Sequence, residues 1–96
     1  MGTKVIYRKY KDGGDILACF PELPADNYGR LMSCYQHIGQ HGAAYWGCVL
    51  RLTVPANEEE YRELAEELER IGYEDLVEGL KDTPVTRRAR AKNAGR

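Results

Sequence analysis

The segment 57–72 places the strongest constraint on the fold, because it contains both the start and the stop signals of an amphipathic helix. Asn57 can cap the first turn, and Glu60 can reach back to it in a capping box. Apolar side chains recur at spacings of three and four and share one stripe: Tyr61, Leu64, Ala65, Leu68 and Ile71. Gly72 is typical of a left-handed helix end. The sequence therefore predicts a helix over 58–71 that buries this stripe against another layer.

Stretches rich in β-branched and aromatic residues predict the layer that the helix covers. Residues 4–10 and 16–20 predict a hairpin, since the glycines of "KDGGD" between them permit a tight turn. Pro21 and Pro24 lack a backbone donor and are expected to end that pairing. Residues 30–38 predict a third strand.

The alternation in "YWGCVLRLTV" (45–54) predicts a fourth strand. Five side chains spaced two apart would share the face that packs on the helix: Trp46, Cys48, Leu50, Leu52 and Val54. Residues 39–44 are expected to form a loop, and residues 73–81 a short second helix. The predicted fold class is α+β: an antiparallel meander of about four strands with one long amphipathic helix packed on one face.

Charge is distributed unevenly along the 96 residues. Residues 58–82 carry eleven acidic and three basic side chains, whereas residues 83–96 carry five basic and no acidic ones. Such a distribution marks either solvated surfaces or a surface for a charged partner. Because the segment after Pro84 has little apolar content, we predict a single α+β domain over 1–82 and a basic, disordered tail over 83–96.

Hydropathy and cysteine content bear on the cellular compartment. No run approaches the roughly 20 apolar residues that span a bilayer, so we expect no contact with a membrane. Cys19, Cys34 and Cys48 cannot all pair within one chain. Because no signal peptide is recognisable, we expect reduced thiols and a cytoplasmic protein.

The stretch "CYQHIGQHGAAYWGC" (34–48) holds both histidines, the tryptophan and two of the three cysteines. Its thiols and imidazoles have the spacing C-x2-H-x3-H-x6-C, which matches no common zinc motif. Cys34 and His37 have opposite parity on a strand and would point to opposite faces. We therefore predict neither a metal nor another cofactor.

Catalytic motifs are also not recognisable. A Cys–His nucleophile pair needs an environment that lowers the thiol pKa, whereas these thiols lie on strands that we expect to be buried. The glycine-containing loops do not connect a strand to a helix, as phosphate-binding loops do. The sequence favours a non-catalytic protein but leaves the question of an enzyme open.

Two kinds of binding remain open. In the first, the chain binds a protein through the acidic helix or the open sheet face, with contacts from Tyr35, Gln36, His37, Gln40, His41 and Tyr45 around the glycine-flanked loop. The same polar side chains could instead hydrogen-bond the loop backbone and hold the turn. In the second, the tail binds nucleic acid through Arg87, Arg88, Arg90 and Lys92. An uncovered strand edge would also allow a homodimer.

The order of elements resembles that of a group of small uncharacterised proteins carried by bacterial phages and integrative mobile elements. The resemblance runs from "VIYRKYKDGGDILACFPE" through "SCYQHIGQHGAA" to "EEEYRELAEELERIGY" and covers residues 4–73. Its most distinctive part is "CYQHIGQHG". The resemblance implies a genetic context, in which small inhibitors or regulators of host machinery are common, and it implies no mechanism.

Overall fold

A computed structural model of the chain describes residues 2–36 and 40–95. The described residues form six strands: β1 (Thr3–Tyr10), β2 (Ile16–Pro24), β3 (Met32–Gln36), β4 (Gln40–Ala44), β5 (Thr53–Pro55) and β6 (Leu76–Glu78). They also form three helices: α1 (Trp46–Leu52), α2 (Glu58–Arg70) and α3 (Pro84–Gly95). The α+β class is confirmed, but the strands are more numerous than predicted, and the main helix has only 13 residues. No helix of the described residues is long and apolar enough to cross a membrane.

β1 and β2 form the predicted antiparallel hairpin, in which Ile6 lies opposite Cys19. Gly13 and Gly14 in the turn adopt φ angles of 91° and 77°. Side chains with a Cβ disfavour this region, which explains the paired glycines. The turn is therefore specified locally, as the sequence predicts.

β2 continues past Pro21, where the sequence predicts that pairing ends. Its pairing with β3 shifts register between Phe20 and Pro24. An irregularity of this kind accommodates a residue that cannot donate to the ladder. The pairing of β1 with β2 ends at Cys19, before Pro21, as predicted, whereas β2 itself continues and pairs with β3 again at Pro24.

The strands form one sheet in the order β4-β3-β2-β1-β5, so the first four strands make an antiparallel meander. β5 and β6 both pair with β1, β5 antiparallel beside residues 8–10 and β6 parallel beside residues 3–5. Among the described residues, β4 has a strand partner on one side only.

α2 begins and ends as the sequence predicts, within one residue. Asn57 Oδ1 accepts a hydrogen bond from the Glu60 amide (2.9 Å), and Glu60 Oε1 accepts one from the Asn57 amide (2.9 Å), which completes the capping box. At the other end Gly72 has φ 117°, and the Tyr73 amide donates to the Leu68 carbonyl (3.0 Å). This contact satisfies one of the orphan carbonyls of the helix end.

The stripe of α2 covers one face of the sheet. The core between the helix and this face consists of Val5, Tyr7, Ala18, Phe20, Tyr35, Tyr61, Leu64 and Leu68. Tyr7 and Tyr61 stack with ring centroids 4.0 Å apart, and Tyr73 stacks on Phe20 at 4.8 Å. Ile71, which the sequence assigns to the stripe, is 49% exposed because it follows the last helical turn as the C-cap.

α1 covers the second face of the sheet, where the sequence predicts a strand. β1 and β2 bury side chains on both faces, and the second core consists of Ile6, Leu17, Cys19, Met32, Cys34 and Val49. A single helix on the first face would leave these side chains in water. Val49 is the buried residue of α1, whereas Leu50 and Leu52 are 49% and 45% exposed. The predicted strand over 45–54 is therefore wrong, and only β5 remains of it.

Arg8 and Thr53 attach the end of α1 to β1. Arg8 Nε donates to Thr53 Oγ1 (2.9 Å), and Nη2 donates to the Thr53 carbonyl (3.0 Å). Thr53 Oγ1 in turn donates to the Val49 carbonyl (2.5 Å). Arg8 and Thr53 are both buried, so this network fixes the helix over the second face.

Two short segments also differ from the prediction. Residues 40–44, predicted as a loop, form β4, and residues 76–78 of the predicted second helix form β6. β6 pairs with β1, which is distant in the chain, whereas β4 forms a hairpin with the preceding strand β3. Backbone pairing with an available sheet edge outweighs the weak local preference of such short segments.

The segment after Thr83, predicted as a disordered tail, forms α3 through Gly95. The Thr86 amide donates to Thr83 Oγ1 (3.1 Å), and the Thr83 amide donates to Thr86 Oγ1 (2.7 Å). Pro84 occupies the first helical position, where its missing donor costs nothing. Local start signals for a helix are therefore present in the sequence.

α3 docks on β2 through polar contacts with backbone carbonyls. Arg90 Nη1 donates to the Pro21 carbonyl (2.7 Å), and Arg90 Nε donates to the Gly29 carbonyl (2.7 Å). Asn93 Nδ2 donates to the Glu22 carbonyl (2.8 Å). A helix held in this way needs few apolar residues, so its composition resembles that of a disordered segment.

Candidate binding surfaces

The residues predicted around the glycine-flanked loop do not form one site. Tyr35 is 1% exposed, and its hydroxyl donates a hydrogen bond to the Glu67 carboxylate of α2. His41 lies opposite Tyr35 on β4, and the two rings meet edge to face with centroids 4.8 Å apart. His37 lies outside the described residues. Tyr35 belongs to the core, so we exclude it as a surface contact.

Gln36 and Gln40 line an open, polar groove of about 310 Å³ beside α2. Gln40 is exposed and Gln36 is half-buried. The charged residues of the lining are acidic: Asp15, Glu60 and Glu63. The Gln36 side chain hydrogen-bonds Tyr10, so the exposed amide of Gln40 is the one available to a ligand, in surroundings that disfavour an anion.

Tyr45 lies apart from Gln40 and His41. It precedes α1 at the far end of β4, and a five-residue strand separates its two ends by about 13 Å. Tyr45 is 58% exposed. The structure therefore groups Tyr45 with α1 and not with the histidine loop.

An apolar groove of about 270 Å³ lies between α1 and β4, and we call it the α1 groove. Its lining includes Tyr10, Cys34, Ala44, Tyr45, Cys48 and Leu52. Tyr45 and Leu52 are 58% and 45% exposed. Because α1 has only seven residues, it leaves this part of the second face open to solvent.

The outer side of β4, which we call the β4 edge, adjoins the α1 groove. Ala43 and Ala44 belong to β4 and also line the groove. The sequence of β4, QHGAA, contains no charged residue and no proline, the residues that protect sheet edges against further pairing. Within residues 2–36 and 40–95, no strand pairs with this edge. The β4 edge can therefore accept another strand.

The thiols and His41 do not assemble a nucleophile. Burial raises the pKa of Cys19 to about 12 and also raises the pKa of Cys34. His41 pairs opposite Tyr35, whose side chain lies on the α2 face, whereas Cys34 lies in the second core. Cys48 is exposed on α1. In the described part of the chain, no three Cys, His, Asp or Glu side chains are arranged to hold a metal ion.

The basic residues of the predicted tail lie on different sides of α3. Arg90 is 4% exposed and forms an ion pair with Asp82. It is therefore a structural residue, and we exclude it as a nucleic-acid contact. Arg87, Arg88 and Lys92 are exposed.

A groove that the sequence does not reveal lies between the start of α1 and α3, and we call it the arginine groove. It has a volume of about 540 Å³, and its lining includes Arg30, Tyr45, Trp46, Asp82, Arg87 and Arg90. Arg30 and Arg87 form no ion pair with the described residues, whereas Asp82 is neutralised by Arg90. The Arg30 guanidinium lies over the Tyr28 ring, 5.6 Å from its centroid. The arginine groove thus combines two guanidinium groups that have no carboxylate partner among the described residues with two aromatic side chains.

The loop before β3 positions Arg30 through Asp26 and Gly29. Asp26 Oδ1 accepts a hydrogen bond from the Leu31 amide (2.9 Å), and this and neighbouring backbone amides lower the pKa of Asp26. Gly29 has φ 76°, and a Cβ there would lie 2.7 Å from Ala91 Cα of α3. The signal that could have indicated this loop is "DNYGR", an Asp-initiated turn with a glycine.

Comparisons of the chain with protein-family models, with curated proteins and with solved structures find no match. The function is therefore inferred from the chemistry of these surfaces.

Proposed function

We propose that this chain is a non-catalytic interaction protein that binds an extended segment of a host or phage protein and thereby inhibits or regulates it. The observation that carries the proposal is the contiguity of the β4 edge with the α1 groove, two surfaces that share Ala43 and Ala44. The β4 edge offers backbone hydrogen bonds, and the α1 groove offers apolar surface.

Strand addition uses both of these features. Main-chain hydrogen bonds to the sheet edge supply part of the affinity, and pockets for alternate side chains supply specificity. A segment paired with β4 would direct every second side chain toward the α1 groove, because strand side chains alternate between faces. Burying Tyr45 and Leu52 would then contribute about 25 cal/mol per Å² of apolar surface removed from water.

The resemblance to proteins of phages and mobile elements supports a partner from the bacterial host or from a phage. Small proteins in that context commonly act on the machinery of the host. A non-catalytic surface suits such a role, because a protein that occupies an interface of its partner can inhibit that partner without catalysis.

The test uses a variant that blocks the edge and the groove together, Ala43→Lys with Leu52→Asp. Both residues are exposed, so we expect the fold to tolerate the changes, and a lysine opposes pairing at a sheet edge. Leu80→Asp, at a position that is 85% exposed and outside both surfaces, is the matched control. Peptides that bind the wild type are selected from a random dodecapeptide library. Peptides that also bind the double variant are then removed.

We expect the enriched peptides to contain alternating apolar residues and to bind both the wild type and the Leu80→Asp control. Their binding should reduce the rate of amide exchange in β4. A host protein that the wild type and the control retain from a lysate, and that the double variant does not, identifies the natural partner. Peptides that bind the double variant equally well, or that leave β4 exchange unchanged, would contradict the proposal.

A further inference from the structure

We infer that the arginine groove binds a nucleotide unit, meaning a phosphate joined to a planar base, supplied by single-stranded nucleic acid or by a free nucleotide. This inference does not depend on protein binding at the β4 edge. It rests on the charge of the groove, on its aromatic wall and on the placement of acidic residues elsewhere.

The phosphate is recognised by Arg30 and Arg87. Neither guanidinium has a carboxylate partner among the described residues, so neither needs to break an ion pair before it binds an anion. Asp82, the carboxylate of the lining, is held at two points by Arg90. The groove therefore presents net positive charge in a fork geometry that matches phosphate oxygens.

The base is recognised by Tyr45 and Trp46. Tyr45 is 58% exposed, and Trp46 is held from the sheet side by Arg8, whose guanidinium carbon lies 5.6 Å from the ring centroid. A fixed aromatic wall suits base stacking, which tolerates any base because every base has a π face.

The fold separates the acidic and the basic residues. α2 carries seven acidic and two basic side chains and covers the first face of the sheet. The arginine groove adjoins α1, which covers the second face. Arg88 and Lys92 of α3 are exposed and extend the positive surface beyond the groove. An anion at the groove is therefore shielded from the acidic helix by the sheet.

Trp46 provides a direct readout, because it is the only tryptophan in the chain and lines the groove. Its fluorescence is followed during titration with the oligonucleotide dT12, with adenosine monophosphate and with a hexaglutamate peptide. We expect saturable quenching by dT12. Equal quenching by adenosine monophosphate at matched nucleotide concentration would assign the site to free nucleotides, and quenching by dT12 alone would assign it to nucleic acid. No quenching by either ligand at millimolar concentration, or equal quenching by hexaglutamate, overturns the inference.

Matched arginine substitutions separate the groove from a diffuse basic surface. Arg30→Gln with Arg87→Gln should weaken binding of the preferred ligand at least tenfold. For dT12 the double substitution should also lower the salt slope by about 0.7, which is the contribution of one phosphate contact on a single strand. Arg62→Gln with Arg70→Gln on α2 should change neither value. If Arg88→Gln with Lys92→Gln reduces affinity as much as the groove pair does, binding is diffuse and the inference is wrong. The Ala43→Lys, Leu52→Asp variant should keep wild-type nucleotide binding.

Discussion

Arg90 and Asp82 form a buried, two-point ion pair between α3 and the segment that precedes it. The distances from Arg90 Nη1 to Asp82 Oδ1 and from Nη2 to Oδ2 are both 3.1 Å. The Thr86 hydroxyl donates to the same carboxylate (2.5 Å), and Arg90 also donates to the carbonyls of Pro21 and Gly29. In the described part of the chain, no buried side-chain polar atom lacks a partner.

Arg90→Ala should detach α3, because it leaves the Asp82 carboxylate buried and unpaired. Removing one partner of a buried ion pair costs about 3–5 kcal/mol. Urea unfolding and amide exchange over 84–95 measure the loss. Arg88→Ala, an exposed position on the same helix, should cost less than about 0.5 kcal/mol. Retained amide protection over 84–95 in Arg90→Ala would show that other contacts hold α3.

Leu68 and Leu50 provide a matched pair that tests the two helices. Leu68 is fully buried in the α2 core, whereas Leu50 on α1 is 49% exposed. Leu68→Ala should lower the free energy of unfolding by about 2–5 kcal/mol, and Leu50→Ala should lower it by less than about 0.5 kcal/mol. Urea denaturation measures both. Similar losses for the two variants would favour the strand that the alternation in 45–54 predicts.

Asn57→Ala should lower the free energy of unfolding by about 1 kcal/mol, because it removes the acceptor for the Glu60 amide. Asn57→Asp keeps an acceptor at this position and should remain close to the wild type. Thermal and urea unfolding of both variants provide the measurement. Equal destabilisation by the two substitutions would argue against a capping role for Asn57.

Glu60 should make stability depend on acid pH. Its hydrogen bond from Lys9 (2.6 Å), with a further one from the Asn57 amide, lowers the pKa of Glu60 in the folded state. The stabilisation is therefore complete above the ordinary glutamate pKa of about 4.3 and is lost as the pH falls through the lowered value. Glu60→Gln should be less stable than the wild type at neutral pH, and the difference should shrink below about pH 4. Glu59 is an exposed neighbour, and Glu59→Gln serves as the control. A pH-dependent stability difference of the same size in Glu59→Gln would contradict the role assigned to Glu60.

The three thiols should react with Ellman's reagent in two phases. Cys48 is exposed, whereas Cys19 and Cys34 are buried and have raised pKa values, so few thiolates are available at pH 8. We expect one fast and two slow equivalents in the folded protein, and three fast equivalents in urea. Cys48→Ser should remove the fast phase. A fast phase that survives this substitution would place Cys34 or Cys19 at the surface.

Elements whose signals act within a few residues could be predicted from the amino-acid sequence. The capping box of Asn57 and Glu60, the Gly72 helix end and the Gly13–Gly14 turn each depend on contacts between near neighbours. The α2 helix, the first hairpin and the α+β class therefore follow from local chemistry. The candidate contacts Gln40 and His41 are also exposed, as a surface role requires.

Elements that depend on partners distant in the chain could not be predicted from local sequence signals. The alternation in 45–54 favours a strand locally. The apolar side chains on the second face of the sheet must also be buried, however, and Val49 of α1 packs against them. The run "ILACF" (16–20) contained the relevant signal, since consecutive apolar residues indicate a strand buried on both faces. α3 is held by Arg90 through a carbonyl 69 positions earlier, a contact that no local composition can indicate. The arginine groove has the same origin, because Arg30, Trp46 and Arg87 come together only when the loop before β3, α1 and α3 pack around the finished sheet.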